Sequence, residues 1–260
     1  MQIRLDGKRA IVTGGNSGIG KAIVMALADA GAKVCINYVT HPEQAQAMVD
    51  ELAARGMSAT AVAADIADPA AVAAMFAQVD QTWGGIDVLV NCAGIDGQHA
   101  MTWEIDPSAW KRVIDVNLLG TFQCAREALQ RMTGQRSGVI INITSVHEVI
   151  AWSGYSAYTA TKAALSMLTK TLAQEAAPFG VRVVALAPGA IQTPINQSVW
   201  SDPIALADLL KKIPLNRMGQ ADEVAQLAVV LASDVAAYVT GTTLFVDGGM
   251  TDYPDFSHGG

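Results

Sequence analysis

The sequence predicts a single α/β domain in which helices cover both faces of a doubly wound parallel sheet of about seven strands, giving three layers. Short apolar segments of strand length alternate with helix-like segments along the whole chain. The strand-like segments are continuous apolar runs, as expected for strands that are buried on both faces. The length of 260 residues suits one large α/β domain, and no linker, repeat or low-complexity stretch divides it.

Local patterns define each predicted element. Apolar and β-branched runs mark the strands, and glycine or proline residues bound the helices. Gly31 and Gly56 are expected just beyond the ends of the first two helices. The predicted strands are Arg9–Val12, Lys33–Asn37, Thr60–Ala64, Val88–Asn91, Val139–Ile143, Val181–Ala187 and Thr243–Val246. The predicted helices are Gly18–Ala30, Pro42–Arg55, Pro69–Trp83, Ser108–Met132, the helix with Tyr158 and Lys162, and Asp222–Ala232.

The turn between the first strand and the first helix is rich in glycine, reading TGGNSGIG over Thr13–Gly20. Gly14 allows a tight turn, Gly18 lets backbone approach a pyrophosphate, and Gly20 lets the helix pack on the strand. Glycines alone could merely end a strand and cap a turn. Because this turn follows a strand and opens a helix, it predicts a dinucleotide site in a Rossmann-type domain.

Ser145, Tyr158 and Lys162 follow the fifth predicted strand. Tyr158 and Lys162 are four residues apart on one helix, so both side chains project from the same face. A tyrosine has a pKa of about 10, and a fixed cation beside it favours the phenolate. The trio can therefore take a proton from an alcohol, with Ser145 bonded to the substrate oxygen. A Tyr–Lys pair at this spacing also occurs on ordinary solvated helices.

Composition excludes several classes of function. The net charge of −7 argues against a nucleic-acid or anionic-membrane surface, and no long apolar run could span a membrane. The charged start of the chain does not fit a signal peptide, so a cytoplasmic protein is expected. The three cysteines fit small buried hydrophobes, and the four histidines lack metal-ligand spacing, so no metal site is expected.

Together these motifs resemble the short-chain dehydrogenase/reductase family. The resemblance covers nearly the whole chain and adds Asn91–Gly94, Asn117 and Pro188–Gly189 to the glycine turn and the trio. It implies that Asn117, Ser145, Tyr158 and Lys162 are catalytic, with Asn117 holding a water that links Lys162 to a proton relay. It also implies a cofactor site formed by Gly14, Asn16, Ser17, Gly18, Ile19, Gly20, Asn37, Asp65, Ile66, Asn91, Ala93, Gly94, Tyr158, Lys162, Pro188, Gly189, Ile191 and Thr193.

Within that site, Asp65 and Ile66 are implied to flank the adenine, and the segment Ile191–Thr193 to close over the nicotinamide. Two alternatives stay open: Asp65 could be a turn acid, and Asn117 a helix-kink amide. The end of the second strand carries no Asp or Glu to grip a ribose hydroxyl and no Arg or Lys to hold a 2′-phosphate. Asn37 can bond a ribose hydroxyl, so NAD is expected to be preferred, with NADP tolerated.

A narrower resemblance is to the bacterial glucose 1-dehydrogenases. It rests on Ser145–Glu148, Pro188–Asn196, Tyr238–Gly241, Asp247–Thr251 and the tail Tyr253–Phe256. It implies oxidation of an aldose at C1 to the lactone, with a substrate site formed by Asp96, Ser145, His147, Trp152 and Asn196. The chain departs from that subgroup at Asp96, where a Glu is usual, in the segment Trp152–Ala157, and at Thr161. These departures argue against glucose itself and favour a different aldose or a modified sugar. Asp96 could also be a plain turn residue, and His147 could cap a loop carbonyl.

The segment 195–217 is predicted to be a helical lid over the substrate, with Pro214 ending its second part. Its apolar stripe would also fit a plain surface helix. Small residues at Ala157, Ala160 and Ala164 allow close helix approach, and the family resemblance implies a homotetramer with the tail 251–260 near a neighbouring site.

Two other functions remain open at this point. The same catalytic residues could reduce a carbonyl group, such as that of a 3-oxoacyl thioester or a steroid-like ketone. A dinucleotide-sensing regulator without turnover is the third possibility, although such a protein would not need the complete set of catalytic side chains.

Overall fold

A computed structural model describes residues 3–252. It confirms the predicted three-layer α/β fold: one seven-stranded parallel sheet with helices on both faces. The segment Tyr253–Phe256, which contributed to the resemblance with glucose 1-dehydrogenases, lies outside the described residues, as does most of the predicted tail.

The strands lie close to their predicted positions. They are β1 Arg9–Val12, β2 Lys33–Tyr38, β3 Ala59–Ala63, β4 Val88–Asn91, β5 Gly138–Ile143, β6 Val181–Pro188, β7 Ile191–Gln192, β8 Gly219–Gln220 and β9 Thr243–Val246. In the main sheet all neighbours are parallel and the order is β3-β2-β1-β4-β5-β6-β9, while β7 and β8 pair separately. The chain reverses direction across the sheet between β1 and β4. Ligands of open α/β sheets bind at such a point.

The helices cover the two faces of the sheet. They are α1 Gly18–Asp29, α2 Pro42–Ala54, α3 Pro69–Trp83, α4 Pro107–Ile114, α5 Thr121–Gln135, α6 Ser156–Ala176, α7 Gln197–Trp200, α8 Pro203–Leu210 and α9 Ala221–Ala232. Proline at the first helical position and an aspartate cap begin α3, α4 and α8, with side-chain bonds from Asp68, Asp106 and Asp202.

Two apolar layers form the core, one on each face of the sheet. Along β1, Ala10 and Val12 face the layer of α1, α2 and α9, whereas Ile11 faces the layer of α3, α5 and α6. This alternation follows from the two-residue period of a strand. Cys35 and Cys124 are fully buried in these layers, and burial raises the pKa of each thiol to about 12.

A π-helical segment, Asp115–Gly120, interrupts what the sequence predicts as one helix, Ser108–Met132. The prediction was therefore wrong in detail, since a single wide turn separates α4 from α5 and sets Asn117 into the interior at 1% exposure. Single π turns often mark functional positions in helices. Periodicity alone gives no signal for such a turn.

The segment 195–217 is only partly helical. Helix α8 ends at Leu210, before Pro214. The chain then makes a turn in which Ile213 N donates to Leu210 O at 3.1 Å, and the Ile213 side chain is buried. The apolar stripe does not form one buried face, since Ile204 is 83% exposed.

Asn37 lies inside β2 and holds the glycine turn against the end of β3. Its Oδ1 accepts from Gly14 N at 3.3 Å, and its Nδ2 donates to Ala64 O at 2.9 Å and Val62 O at 3.4 Å. Its backbone carbonyl accepts from Gly15 N at 2.9 Å. The side chain is 1% exposed and already bonded, which contradicts the expected contact with the cofactor ribose.

This arrangement predicts that Asn37→Asp destabilises the protein. A carboxylate there would face the carbonyl oxygens of Ala64 and Val62, and it has no N–H group that could donate to them. We expect a loss of about 2–4 kcal/mol in the free energy of unfolding, measured in urea. Thr40→Asp, an exposed change in the following loop, is the control. Equal stabilities for the two variants would contradict this account.

Candidate active site

The candidate site lies where the carboxyl ends of β1 and β4 meet. The Thr13 hydroxyl, at the end of β1, accepts hydrogen bonds from the backbone N–H groups of Cys92 and Ala93, each at 3.0 Å. These bonds fix the glycine turn beside the loop that follows β4. Thr13 is 0% exposed, and it is not among the predicted site residues.

The glycine turn has the close backbone packing that the sequence predicts. Gly14 has a φ of +62°, and a β-carbon there would lie 2.9 Å from the Ala93 Cα. A β-carbon at Gly20 would overlap the Gly14 carbonyl, so only glycine lets α1 begin so near the sheet. Gly18 faces the Thr193 methyl, which is 3.6 Å from where its β-carbon would be.

The N-terminus of α1 suits a phosphate group. Ser17 caps the helix without a side-chain hydrogen bond, and the first turn of α1 holds no acidic residue. Backbone N–H groups at such an end attract anions, so the turn fits the pyrophosphate of a dinucleotide. Asn16 supports the turn from behind, since its amide donates to Thr40 O at 2.8 Å. Ile19 is half-buried and packs against the core.

Asp65 and Ile66, which were expected to flank the adenine, make contacts within the protein. The Asp65 carboxylate accepts from Ala67 N at 3.0 Å and pairs with Arg112 at 2.8 Å. Burial alone would raise the pKa of Asp65, but these two partners hold it below its ordinary value. The Ile66 side chain is 2% exposed and lies over Gly120. The structure thus favours Asp65 as a turn acid and contradicts an adenine contact by the Ile66 side chain.

Ser145 and Lys162 both lie at the end of β5. The Lys162 ammonium donates to Ile143 O at 2.9 Å and lies 5.5 Å from the centre of the Tyr158 ring. Lys162 is 6% exposed, and burial lowers its pKa to about 8. The Ser145 Oγ accepts from His147 N at 3.1 Å, which begins a short 3₁₀ turn, Val146–Glu148. The predicted trio is therefore assembled in one place.

Burial raises the pKa of the Tyr158 phenol above its ordinary value. A polar interaction with the Ser145 hydroxyl lowers it, and the Asp96 carboxylate raises it further. The sequence predicts that the neighbouring cation favours the phenolate. In the structure burial is the largest influence on the phenol, and it acts against ionisation.

Asn117 fixes the loop after β4. Its Oδ1 accepts from Ile95 N at 2.8 Å, and its Nδ2 donates to Ile95 O at 2.8 Å and to Thr161 Oγ1 at 3.2 Å. Gly94 lies beside this amide, since a β-carbon there would be 3.3 Å from Asn117 Oδ1 and 3.8 Å from Lys162 Nζ. The expected water link from Asn117 to Lys162 stays a prediction.

A chain of buried polar side chains lies beneath the site. Asn91 Nδ2 donates to Asn142 Oδ1 at 2.9 Å, and Asn142 Nδ2 donates to Thr169 Oγ1 at 2.9 Å. This chain joins β4, β5 and α6. Asn91 thus lies under the cleft that it was expected to line. Asn142 is not among the predicted site residues, although an asparagine within an apolar strand is a usable signal of buried hydrogen bonding.

Four stacked rings form a wall beside Tyr158, which we call the ring wall: His147, Trp152, Tyr155 and His99. Successive ring centres are 4.4, 3.9 and 4.9 Å apart. The His147 and Trp152 rings stand edge-on to the Tyr158 ring, with centres 6.2 and 6.0 Å away. The wall joins two loops whose contact no sequence pattern predicts, so Tyr155 and His99 were missed.

Gly154 holds the ring wall together. It has a φ of +84°, its carbonyl accepts from Ala100 N at 3.1 Å, and a β-carbon there would overlap the His99 ring. Glycine at this position therefore lets the loop after β4 close against the loop before α6.

Two of the expected sugar ligands are bonded within the protein. His147 Nδ1 lies 3.0 Å from Ile150 O, so the ring carries its proton on Nδ1, and burial lowers its pKa. The Asn196 amide accepts from Thr193 N at 3.1 Å and donates to Ile191 O at 2.8 Å. These contacts favour the loop-capping alternative for His147 and contradict a free Asn196 ligand. Asp96 is half-buried and acts on the Tyr158 phenol.

The chain after β6 returns to the glycine turn. Pro188 ends β6, and Gly189 N donates to Val246 O at 3.0 Å. A β-carbon at Gly189 would lie 2.8 Å from the Asp247 Cα. Ile191 and Thr193 are buried, and Thr193 faces Gly18, so this segment can close on a cofactor held by the turn.

The part of the chain that the structure describes holds no cluster of side chains suited to a metal ion. Among residues 3–252, no helix is long and apolar enough to cross a membrane.

Known proteins share this fold and these motifs. A family model described as enoyl-(acyl carrier protein) reductase matches residues 14–251. The chain is 44% identical over 256 residues to 3beta-hydroxysteroid dehydrogenase 1 of Eggerthella lenta, covering 98% of each. It is 42% identical over 243 residues to the 3-oxoacyl-(acyl-carrier-protein) reductase FabG of Staphylococcus aureus, covering 94% of this chain and 98% of that protein.

A solved gluconate 5-dehydrogenase from Burkholderia cenocepacia J2315, in complex with NADP and tartrate, superposes with a TM-score of 0.91 at 37% identity, covering 96% of this chain and 98% of that chain. These relatives support the family resemblance but not the narrower one to glucose 1-dehydrogenases. The chain belongs to the short-chain dehydrogenase/reductase family of NAD(P)-dependent oxidoreductases.

Proposed function

We propose that this oxidoreductase interconverts a secondary alcohol and a ketone on a flat, largely apolar alicyclic skeleton of the hydroxysteroid type. The observation that carries the proposal is the ring wall beside Tyr158. The similarity to a 3beta-hydroxysteroid dehydrogenase over nearly the full length supports the same class.

The ring wall suits an apolar substrate because its stacked rings offer ring carbon on their exposed parts. Trp152 is 40% exposed, and further apolar side chains, Val149 and Met101, lie open to solvent on the same two loops. Covering such surface contributes about 25 cal/mol per Å². A flat alicyclic skeleton can cover it while its carbinol carbon reaches Tyr158.

Oxidation of an aldose at C1 is the second candidate function, and the presence of Asp96 favours it. A carboxylate close to Tyr158 can accept a hydrogen bond from a sugar hydroxyl. However, a sugar needs several such partners, and His147 and Asn196 already bond within the protein. A 3-oxoacyl substrate, suggested by the similarity to FabG, is the third.

The chemistry follows from the states of the site residues. When bound, the nicotinamide supplies the hydride acceptor or donor. In ketone reduction the Tyr158 phenol donates its proton to the substrate oxygen, and in alcohol oxidation its phenolate takes that proton back. Ser145 hydrogen-bonds the same oxygen, and the charge on Lys162 stabilises the phenolate. Burial raises the pKa of the phenol, which favours the protonated form that donates in reduction.

NAD is the proposed preferred cofactor, with NADP tolerated. Beyond Asn37, the chain continues through Tyr38, Val39, Thr40 and His41, none of which is Lys or Arg. His41 lies 3.2 Å from the Glu43 carboxylate, which would repel a 2′-phosphate.

The cofactor proposal predicts that Val39→Arg shifts preference toward NADP. Val39 is 59% exposed at the end of β2, where a guanidinium can reach a phosphate dianion. We expect the ratio of kcat/KM for NADP over NAD to rise about tenfold, equivalent to about 1.4 kcal/mol. Val39→Gln, which adds length without charge, should leave the ratio near that of the wild type. An unchanged ratio in Val39→Arg would show that the ribose of the cofactor does not lie within reach of residue 39.

We also infer that the segment 195–217 closes over the substrate and that the chain assembles as a homotetramer. Ile195 and Ile204 are exposed and apolar, as expected for a surface that meets a ligand. Leu119, Phe122 and Met167 are 45%, 44% and 62% exposed near or on α5 and α6, which suits packing against a second copy.

The ring wall predicts that Trp152→Ala raises KM for a flat alicyclic substrate about 10- to 100-fold while changing kcat little, because stacking area is lost away from the reacting atoms. Trp103→Ala is the matched control, since Trp103 is 82% exposed and outside the wall. Equal KM values for the two variants would show that the wall does not contact the substrate.

The test of the proposed function is the absorbance of reduced nicotinamide, followed with NAD or NADP and a panel of substrates. The panel includes 3-hydroxysteroids, cyclohexanols, glucose, other aldoses, gluconate and a 3-oxoacyl thioester. We expect turnover with 3-hydroxysteroids and cyclohexanols, lost by about 10²–10⁴-fold in Tyr158→Phe. Turnover confined to aldoses or to the thioester would overturn the proposal and favour the corresponding alternative.

A further inference from the structure

Glu148 lies on the 3₁₀ turn that Ser145 begins and faces the helix that carries Lys162. Its backbone N–H donates to Ser145 O at 2.9 Å. One carboxylate oxygen accepts from the Ser166 hydroxyl at 3.0 Å. Ser166 is one helical turn beyond Lys162, so the carboxylate and the ammonium lie along the same side of α6.

The Glu148 carboxylate has an unusual environment. Its second oxygen, Oε2, is buried without a hydrogen-bond partner among the described residues. It forms no ion pair within residues 3–252. A partly buried carboxylate without a contact ion pair is costly, so a charge of opposite sign is expected nearby.

The charged and titratable groups around Lys162 identify that partner. Tyr158 faces it from its own helix, Cys92 from the loop after β4, and Glu148 from the 3₁₀ turn. Burial raises the pKa of the Cys92 thiol to about 12, so that group is neutral at physiological pH. Burial also raises the pKa of the Tyr158 phenol, so this group does not supply negative charge either. Glu148 is therefore the group that brings negative charge toward the Lys162 ammonium.

We propose that Glu148 is a positioning residue for Lys162, whose carboxylate keeps the buried ammonium protonated during turnover. The two groups lie beyond ion-pair distance and act on each other through the interior of the protein, where charges are poorly screened. This inference rests on the proposed role of Lys162 beside Tyr158. It gives a role to Glu148, to which neither resemblance of the chain assigns one.

The direct test is the pH titration of Lys162 in full-length protein labelled with ¹³C at lysine Cε. The signal of Lys162 is assigned by its loss in Lys162→Met. Glu148→Gln retains the shape of the side chain and an oxygen for the Ser166 hydroxyl but removes the charge. We expect it to lower the titration midpoint of Lys162 by about one pH unit. Ser166→Ala, which removes the hydrogen bond and keeps the charge, should leave the midpoint unchanged.

Activity gives the second readout. With the best alcohol of the panel, the fall of kcat/KM at alkaline pH should move down by the same amount in Glu148→Gln and stay in place in Ser166→Ala. An unchanged midpoint in Glu148→Gln, or an equal shift in Ser166→Ala, would overturn the inference. Because the ¹³C titration needs no substrate, it decides this inference even where the proposed function fails.

A further variant keeps the inference testable if Glu148→Gln does not fold. Glu148→Asp keeps the charge but withdraws it by one methylene, so the Lys162 midpoint should fall below that of the wild type. A midpoint equal to that of the wild type would then contradict a role for the carboxylate.

Discussion

The site depends on how backbone hydrogen bonds are satisfied where a parallel sheet ends. Beyond the last ladder bond, strand ends must find other partners, because unpaired buried N–H and C=O groups are costly. Here side chains provide them: Thr13 receives two N–H groups after β4, and Asn37 joins the glycine turn to the end of β3. Lys162 does the same for Ile143 O at the end of β5. One set of bonds thus completes the sheet and shapes the crevice.

The fold and the catalytic residues could be predicted because their signals are local. Continuous apolar runs located the strands, the turn Thr13–Gly20 located the phosphate end, and the spacing of Tyr158 and Lys162 placed both on one helix face. What was missed depends on contacts between distant loops or on a change of helical pitch. The ring wall joins His99 to Tyr155, and the π turn moves Asn117 inward, with no periodic pattern in either case. Asn37 was misassigned because sequence places it at a strand end without showing that its amide is already bonded.

The identity of the substrate was hard to predict because the sequence does not show which polar side chains are already hydrogen-bonded within the protein. His147 and Asn196 stand where a resemblance suggests polar ligands, yet each stabilises its own loop. A side chain that completes a turn is unavailable to a substrate unless the turn opens. The ring wall offers aromatic surface beside Tyr158, and the Asp96 carboxylate acts on the same phenol. This balance favours an apolar alcohol or ketone over a sugar.

The most direct test is a competition in one tube between two alcohols. The protein receives oxidised cofactor, a flat alicyclic alcohol labelled with deuterium at its carbinol carbon, and an equimolar amount of unlabelled glucose. The mass of the reduced cofactor then reports which carbon gave the hydride. Reduced cofactor that carries the deuterium is the result expected here. Reduced cofactor without the label would contradict it and assign the site to the sugar.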